Sequence, residues 1–116
     1  MLDDRILVCE PDGPRLREDR DALDLIGEAG ATGATWVAVP AERFHEDFFV
    51  LRTGVAGEIA QKFVNYRVGL AVVGDISRFT AASTALSAWV LESNRGGHIW
   101  FVRDLEELAA RWSARG

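Results

Sequence analysis

The chain has 116 residues, of which 48% are apolar and 27% charged, and its formal net charge is −5. This length and mixture predict one globular domain spanning residues 1–116, large enough to bury an ordinary core. The negative charge argues against a nucleic-acid-binding role, which needs a basic surface facing phosphates.

Membrane and secretory functions are also disfavoured by the sequence. No apolar run approaches the ~18–20 residues that cross a bilayer, and the amino terminus lacks a signal-peptide pattern. We therefore expect a cytoplasmic protein with no membrane partner. The single cysteine, Cys9, lies inside an apolar run, which favours a buried structural thiol over a reactive one.

Four short apolar runs predict buried strands, and a helical pattern follows each of them. The predicted strands cover residues 6–9, 36–39, 68–73 and 99–102. The predicted helices cover residues 18–29, 48–66, 80–93 and 104–112. Strands that are apolar throughout are usually covered on both faces. The sequence therefore predicts a single α/β domain with a mainly parallel four-stranded sheet and alternating helices, in the order β-α-β-α-β-α-β-α.

The second predicted helix carries two stripes at helical spacing. The apolar stripe consists of Val55, Ile59, Phe63 and Tyr66, and the polar stripe of Glu58, Lys62 and Asn65. Lys62 is the only lysine beside twelve arginines, so its compact ammonium is a candidate binding group. The alternative is an ordinary surface ion pair with Glu58. Arg52 and Thr53 stand at the start of this helix, where Thr53 is also suited to capping.

Further candidates lie near the ends of the later elements. Asp75 follows the third strand, at the edge where ligands of open α/β sheets usually bind, although it could instead cap its own turn. Asn94 belongs to the segment that ends the third helix. The candidate binding residues are therefore Arg52, Thr53, Glu58, Lys62, Asn65, Asp75 and Asn94, and catalytic residues are not assigned.

The standard catalytic and cofactor motifs are missing from the sequence. The glycines at positions 27, 30 and 33 precede a strand, whereas a dinucleotide fingerprint follows one. His45 and His98 belong to no metal-ligand pattern, and no Gly-x-Ser-x-Gly elbow is present. We predict no metal and no cofactor, and the sequence leaves open whether the protein is an enzyme.

Three segments carry a resemblance to a known family. The central one runs from Phe48 through Gly54, Gly57 and Glu58 to Asn65-Tyr66, and the later ones are Gly74-Asp75-Ile76-Ser77 and Glu92-Ser93-Asn94-Arg95-Gly96. Over nearly the whole chain the sequence resembles the bacterial family called domain of unknown function 4180, which implies no activity. The order of elements is similar to STAS-like domains, which implies a role in signalling or partner-switch regulation.

Two functional hypotheses follow. The first is a non-catalytic, STAS-like regulatory or protein-interaction module that binds a protein partner or forms a homodimer. A homodimer would use the aromatic segment of Phe44, Phe48 and Phe49, unless these side chains pack under their own loop. The second is a small enzyme or metabolite-binding protein whose pocket takes a small-molecule ligand on Arg52, Glu58, Lys62 and Asp75.

Overall fold

The structure is a computed structural model that describes residues 2–115. Within them the chain forms four strands, five α-helices and three short 3-10 turns. The strands are β1 Ile6–Val8, β2 Trp36–Pro40, β3 Gly69–Val73 and β4 Ile99–Val102. The helices are α1 Asp19–Thr32, α2 Val55–Asn65, α3 Ser77–Ala82, α4 Thr84–Arg95 and α5 Leu105–Ala114.

The four strands form one all-parallel sheet in the order β1-β2-β3-β4, which confirms the predicted fold class. Each strand is added on the same side of the one before it, so right-handed crossovers carry all the connecting helices to the same face. Helices α1, α2 and α4 pack there. Helix α5 follows the last strand, has no crossover to make, and packs on the opposite face.

The strand side chains alternate between two separate cores. Val37, Val39 and Val72 point towards α1, α2 and α4, where the aromatic side chains are mainly phenylalanines. We call this side the phenylalanine face; its buried rings belong to Phe44, Phe48, Phe49, Phe63 and Phe101. The side that packs against α5 is the tryptophan face, and its rings belong to Trp36, Trp100 and Trp112.

Small strand residues make room for the indoles on the tryptophan face. The ring centroid of Trp36 lies 4.3 Å from that of Trp100 and 6.0 Å from that of Trp112. A Cβ atom on Gly69 would stand 2.1 Å from the Trp36 ring, so only glycine fits beneath it. Ala38 and Ala71 complete the floor of this core. The bulky Trp36 on β2 thus lies opposite Gly69 on β3, which has no side chain.

The predicted helix over residues 48–66 is wrong in its first half. Residues Glu46–Phe49 and Leu51–Thr53 form 3-10 turns, and the regular helix begins only at Val55. Gly54 has φ +83°, a left-handed conformation that interrupts a right-handed helix. Phe48 and Phe49 therefore belong to a 3-10 turn and not to the regular helix.

The third predicted helix, over residues 80–93, is also divided. The extended backbone of Ser83 separates α3 from α4, and its Oγ accepts a hydrogen bond of 3.1 Å from the Leu86 backbone N–H. Ser83 is thus the N-cap of α4. Ala82 is exposed at the end of α3.

Two predicted core residues lie at the surface. Val8 is 42% exposed at the end of the edge strand β1, although Ile6 is buried on the tryptophan face and Leu7 packs against the phenylalanine face. Tyr66 is 59% exposed because α2 ends at Asn65 and the apolar stripe ends with it. Phe44, Phe48 and Phe49 are at most 3% exposed, so they offer no aromatic surface for a homodimer.

Candidate functional site

The outward face of α2 holds three of the predicted residues on open surface. Glu58 and Asn65 are exposed, and the Asn65 side-chain oxygen accepts a hydrogen bond of 2.8 Å from the Gln61 amide. The Lys62 side chain is 33% exposed, and its Nζ lies 3.8 Å from the Asp19 Oδ2 at the start of α1. Lys62 therefore pairs with Asp19 and not with Glu58, the partner in the alternative interpretation, because the packing of α1 on α2 brings the aspartate closer.

The next two predicted residues, Arg52 and Thr53, lie in the 3-10 turn just before this helix and have different surroundings. The Thr53 hydroxyl accepts a long hydrogen bond of 3.3 Å from the Val55 N–H, while Gly54 occupies the N-cap position. The same hydroxyl lies 2.7 Å from the Asp47 carbonyl oxygen, so Thr53 mainly fastens the preceding turn. Arg52 is exposed and lines a cavity of about 340 Å³ beside Phe49.

Asp75 lies at the carboxyl end of β3 and caps its own turn. Its Oδ1 accepts a hydrogen bond of 2.9 Å from the Ser77 backbone N–H, at the start of α3. The Ser77 side chain and backbone hydrogen bonds hold the pKa of the Asp75 carboxyl below its ordinary value. The aspartate is therefore an exposed, ionised group with one of its oxygens already engaged.

The Asn94 side chain forms hydrogen bonds with the backbone of β4. Its amide Nδ2 donates to the Phe101 carbonyl at 3.2 Å, and its Oδ1 accepts from the Phe101 N–H at 2.7 Å. These backbone groups lie on the free edge of β4, so the amide takes the place of a neighbouring strand. Such cover protects an edge from pairing with another chain. Asn94 therefore has a structural role that the sequence did not indicate.

A crevice of about 440 Å³ lies between the carboxyl ends of β3 and β4. The chain leaves β3 towards the phenylalanine face and leaves β4 towards the tryptophan face, so the connecting segments diverge there. This is the position at which open α/β sheets usually bind ligands. Its polar lining includes Asp75, Ser77, Asn94 and Arg103. Two of the predicted residues, Asp75 and Asn94, are thus brought together here, whereas Arg52 and the three residues of α2 lie elsewhere.

Sequence reasoning missed the buried Arg43. Its Nε donates to the Pro14 carbonyl and its Nη1 to the Glu10 carbonyl, both at 2.7 Å, which fixes the loop after β1. Gly13 is required beside it, because a Cβ there would come within 2.6 Å of the guanidinium. The Pro-Asp-Gly-Pro turn hinted at a tight loop, but no local signal identified the arginine, which is about 30 positions away.

The remaining reactive groups of residues 2–115 are a partly buried thiol and possible metal ligands that are scattered over the fold. Burial raises the pKa of the Cys9 thiol to about 11, so the thiol is protonated and unreactive at neutral pH. Within residues 2–115, no three His, Cys, Asp or Glu side chains are grouped as metal ligands. None of the helices described for those residues has the length and apolar character needed to span a bilayer.

Comparison with known proteins identifies a family and no activity. A family model described as a domain of unknown function, DUF4180, matches residues 2–112, so the chain belongs to this family. No curated protein and no solved structure matches the chain.

Proposed function

We propose that this member of the DUF4180 family is a non-catalytic regulatory module that binds a protein partner through the outward face of α2. The observation that carries the proposal is the open placement of Glu58, Gln61 and Asn65 beside two exposed apolar side chains. Val64 is 40% exposed and Tyr66 is 59% exposed. A polar face with an exposed tyrosine is typical of protein-binding surfaces, where tyrosine is enriched among energetic hot spots.

The end of α2 adds a second supporting observation. Arg67 has φ +58°, in the left-handed region that glycine usually occupies. A non-glycine residue in this conformation costs of order ~1 kcal/mol, which a glycine would avoid. The chain nevertheless keeps an exposed arginine directly after Tyr66. We interpret the cost as tolerated because the guanidinium contributes to binding.

The experiment is photo-crosslinking in cells of the source organism. A photoreactive phenylalanine replaces Asn65 on the proposed surface, and Ala110, an exposed position on α5, serves as the matched control. We expect a discrete adduct from position 65 and none from position 110. Adding Tyr66→Ala should reduce the adduct at least tenfold, because loss of a hot-spot tyrosine weakens binding by about that factor. An adduct of twice the chain mass would identify the partner as a second copy.

The proposal fails if position 65 gives no adduct, or if its adduct is unaffected by Tyr66→Ala. The folding of each variant is checked by circular dichroism. Because Tyr66 is exposed, its replacement should change the free energy of unfolding by no more than ~0.5 kcal/mol. A lost adduct would then report binding and not folding.

A metabolite-binding role is the second candidate, and the crevice between β3 and β4 favours it. The pocket originally expected would join Arg52, Glu58, Lys62 and Asp75, but Glu58 and Lys62 lie on the open face of α2. Among these four residues, Asp75 is the one that lines the crevice. A thermal-shift screen with a metabolite library tests this role, since a ligand at 100 times its dissociation constant stabilises by ~2.7 kcal/mol. Any hit should be lost in Asp75→Asn.

A further inference from the structure

A cleft of about 1060 Å³ lies on the tryptophan face, at the amino-terminal end of the sheet. Its charged lining consists of Asp3, Arg5, Arg111 and Arg115. Among residues 2–115, three guanidinium groups against one carboxylate leave an excess of two positive charges in the lining, in a chain whose net charge is −5. The cleft is thus a local reversal of the charge of the whole molecule, and it favours a small anion.

Two of the three arginines are held by indole rings and not by carboxylates. The guanidinium carbon of Arg111 lies 4.4 Å from the centroid of Trp100, and that of Arg115 lies 3.7 Å from the centroid of Trp112. Within residues 2–115, neither arginine forms an ion pair. Arg111 donates one hydrogen bond to the Asn94 carbonyl. Stacking on a ring fixes the plane of a guanidinium and leaves its N–H edge for a ligand.

Arg5, the third arginine of the cleft, is already paired with a carboxylate. Arg5 donates through Nε and Nη2 to the two carboxylate oxygens of Asp3, both at 3.0 Å. This pairing holds the pKa of the Asp3 carboxyl well below its usual range, so the carboxylate stays charged beside Arg5. The free positive charge of the cleft therefore belongs to Arg111 and Arg115.

We propose that this cleft binds a phosphate dianion, either free or as a phosphomonoester, between Arg111 and Arg115. The charge of the dianion equals the local excess, and its oxygens match the forked donors of two arginines. Gly96 and Gly97 line the cleft without side chains that would narrow it. Trp100 and Trp112 are 4% and 8% exposed, so their rings are not free to stack on a nucleobase. The recognised group is therefore the phosphoryl group itself.

The tryptophans supply the readout. Inorganic phosphate and glycerol phosphate are titrated separately against the full chain, with intrinsic fluorescence recorded at constant ionic strength maintained with chloride. We expect a saturable change from at least one of them, because an anion between the arginines alters the surroundings of Trp100 and Trp112. Whichever probe saturates identifies the source of the phosphoryl group.

The variants separate binding from general salt effects. Arg111→Gln and Arg115→Gln should each weaken binding at least tenfold, the usual effect of losing charge-assisted hydrogen bonds. Arg78→Gln is the matched control, because Arg78 stacks on Phe79 at 4.4 Å outside the cleft, and it should bind like the parent. Asp3→Asn should strengthen binding several-fold by removing the one carboxylate that the described residues contribute to the lining.

Two results would overturn the proposal. One is a response that chloride reproduces at the same ionic strength. The other is a response of equal midpoint in Arg115→Gln and Arg78→Gln. Arg115 is exposed at the end of α5, so its replacement leaves the fold intact even if Arg111→Gln does not fold. The outcome is independent of the crosslinking on α2, because the two surfaces lie on opposite faces of the sheet.

Discussion

The two faces of the sheet are built on different plans. The phenylalanine face is covered by α1, α2 and α4 and closed at its margin by 3-10 turns, and two of its rings, Phe48 and Phe63, have no exposed surface. Among the helices of residues 2–115, α5 is the one that covers the tryptophan face, and the indoles there are bordered by arginines that line a cleft. We expect the thickly covered face to supply most of the stability, because it buries more apolar side chains, whereas the thinly covered face has room for a ligand.

Removing a buried ring from the phenylalanine face should lower the free energy of unfolding more than any other substitution considered below. Phe48 is fully buried between Phe44 and Phe49, at ring-centroid distances of 4.2 and 5.1 Å. Phe48→Ala should lower the free energy of unfolding by ~3–5 kcal/mol, because the cavity it leaves cannot collapse among rigid rings. Urea denaturation measures the loss, with the exposed Tyr66→Ala as control. A loss below ~1 kcal/mol would show that this face is less tightly packed than its burial indicates.

A smaller effect is expected from overfilling the tryptophan face. Gly69→Ala would place a methyl group against the Trp36 ring, and the resulting strain should cost ~1–3 kcal/mol and change the tryptophan emission. Gly57→Ala on the exposed side of α2 is the control, because a Cβ there meets nothing within 4 Å. That control should stabilise the protein by up to ~1 kcal/mol. Equal destabilisation by both substitutions would contradict the steric explanation.

The thiol on the phenylalanine face should make stability fall at alkaline pH. The folded pKa of Cys9 is raised from 9.0 to about 11, so the folded state retains the proton over a range in which the unfolded state loses it. The contribution of Cys9 is therefore fully present below pH 9 and declines as the pH rises towards 11. Denaturation midpoints between those values should fall more steeply in the parent than in Cys9→Ala. At pH 8, alkylation of the folded thiol should be roughly a hundredfold slower than in urea, since two pKa units separate the thiolate fractions.

The smallest effect concerns Lys62, the link between α1 and α2. Lys62→Arg should change the free energy of unfolding by no more than ~0.5 kcal/mol, because a half-exposed ion pair with Asp19 contributes little. Thermal unfolding measures this change, and crosslinking from position 65 measures binding. A folded Lys62→Arg protein that lost its adduct would show that the ammonium itself contacts the partner. Unchanged binding in both Lys62→Arg and Lys62→Met would leave Lys62 a structural residue only.

The sequence identified strands and helices where burial is local and periodic. The four apolar runs and the inner face of α1, with Ala22, Leu25, Ile26 and Ala29, follow from patterns within a dozen residues. Helix boundaries were less certain wherever one backbone angle decided them. The sequence did not show that Gly54 would precede the first turn of α2 and not lie inside a longer helix. It likewise did not show that Ser83 would be the N-cap of α4 and not an interior residue of one helix.

The candidate site was predicted less well because its residues are related by tertiary contacts. The alternative interpretation of the sequence paired Lys62 with Glu58, four positions away. In the structure Lys62 pairs with Asp19, which lies on another helix. Asn94 was selected as a binding residue, but the strand edge that it covers exists only once β4 joins the sheet. A sequence shows which side chains can form hydrogen bonds, but it does not show which groups they bond to in the fold.

Sequence periodicity is enough to assign the α/β class, because strand and helix periods are local consequences of side-chain burial. Family membership was visible in the same way, from short motifs. Only the folded chain shows that α5 lies on the opposite face, and that Arg5, Arg111 and Arg115 line one cleft although more than 100 positions separate Arg5 from the other two. The physical reason is that sheet order and helix handedness, not chain proximity, bring charges into one cleft.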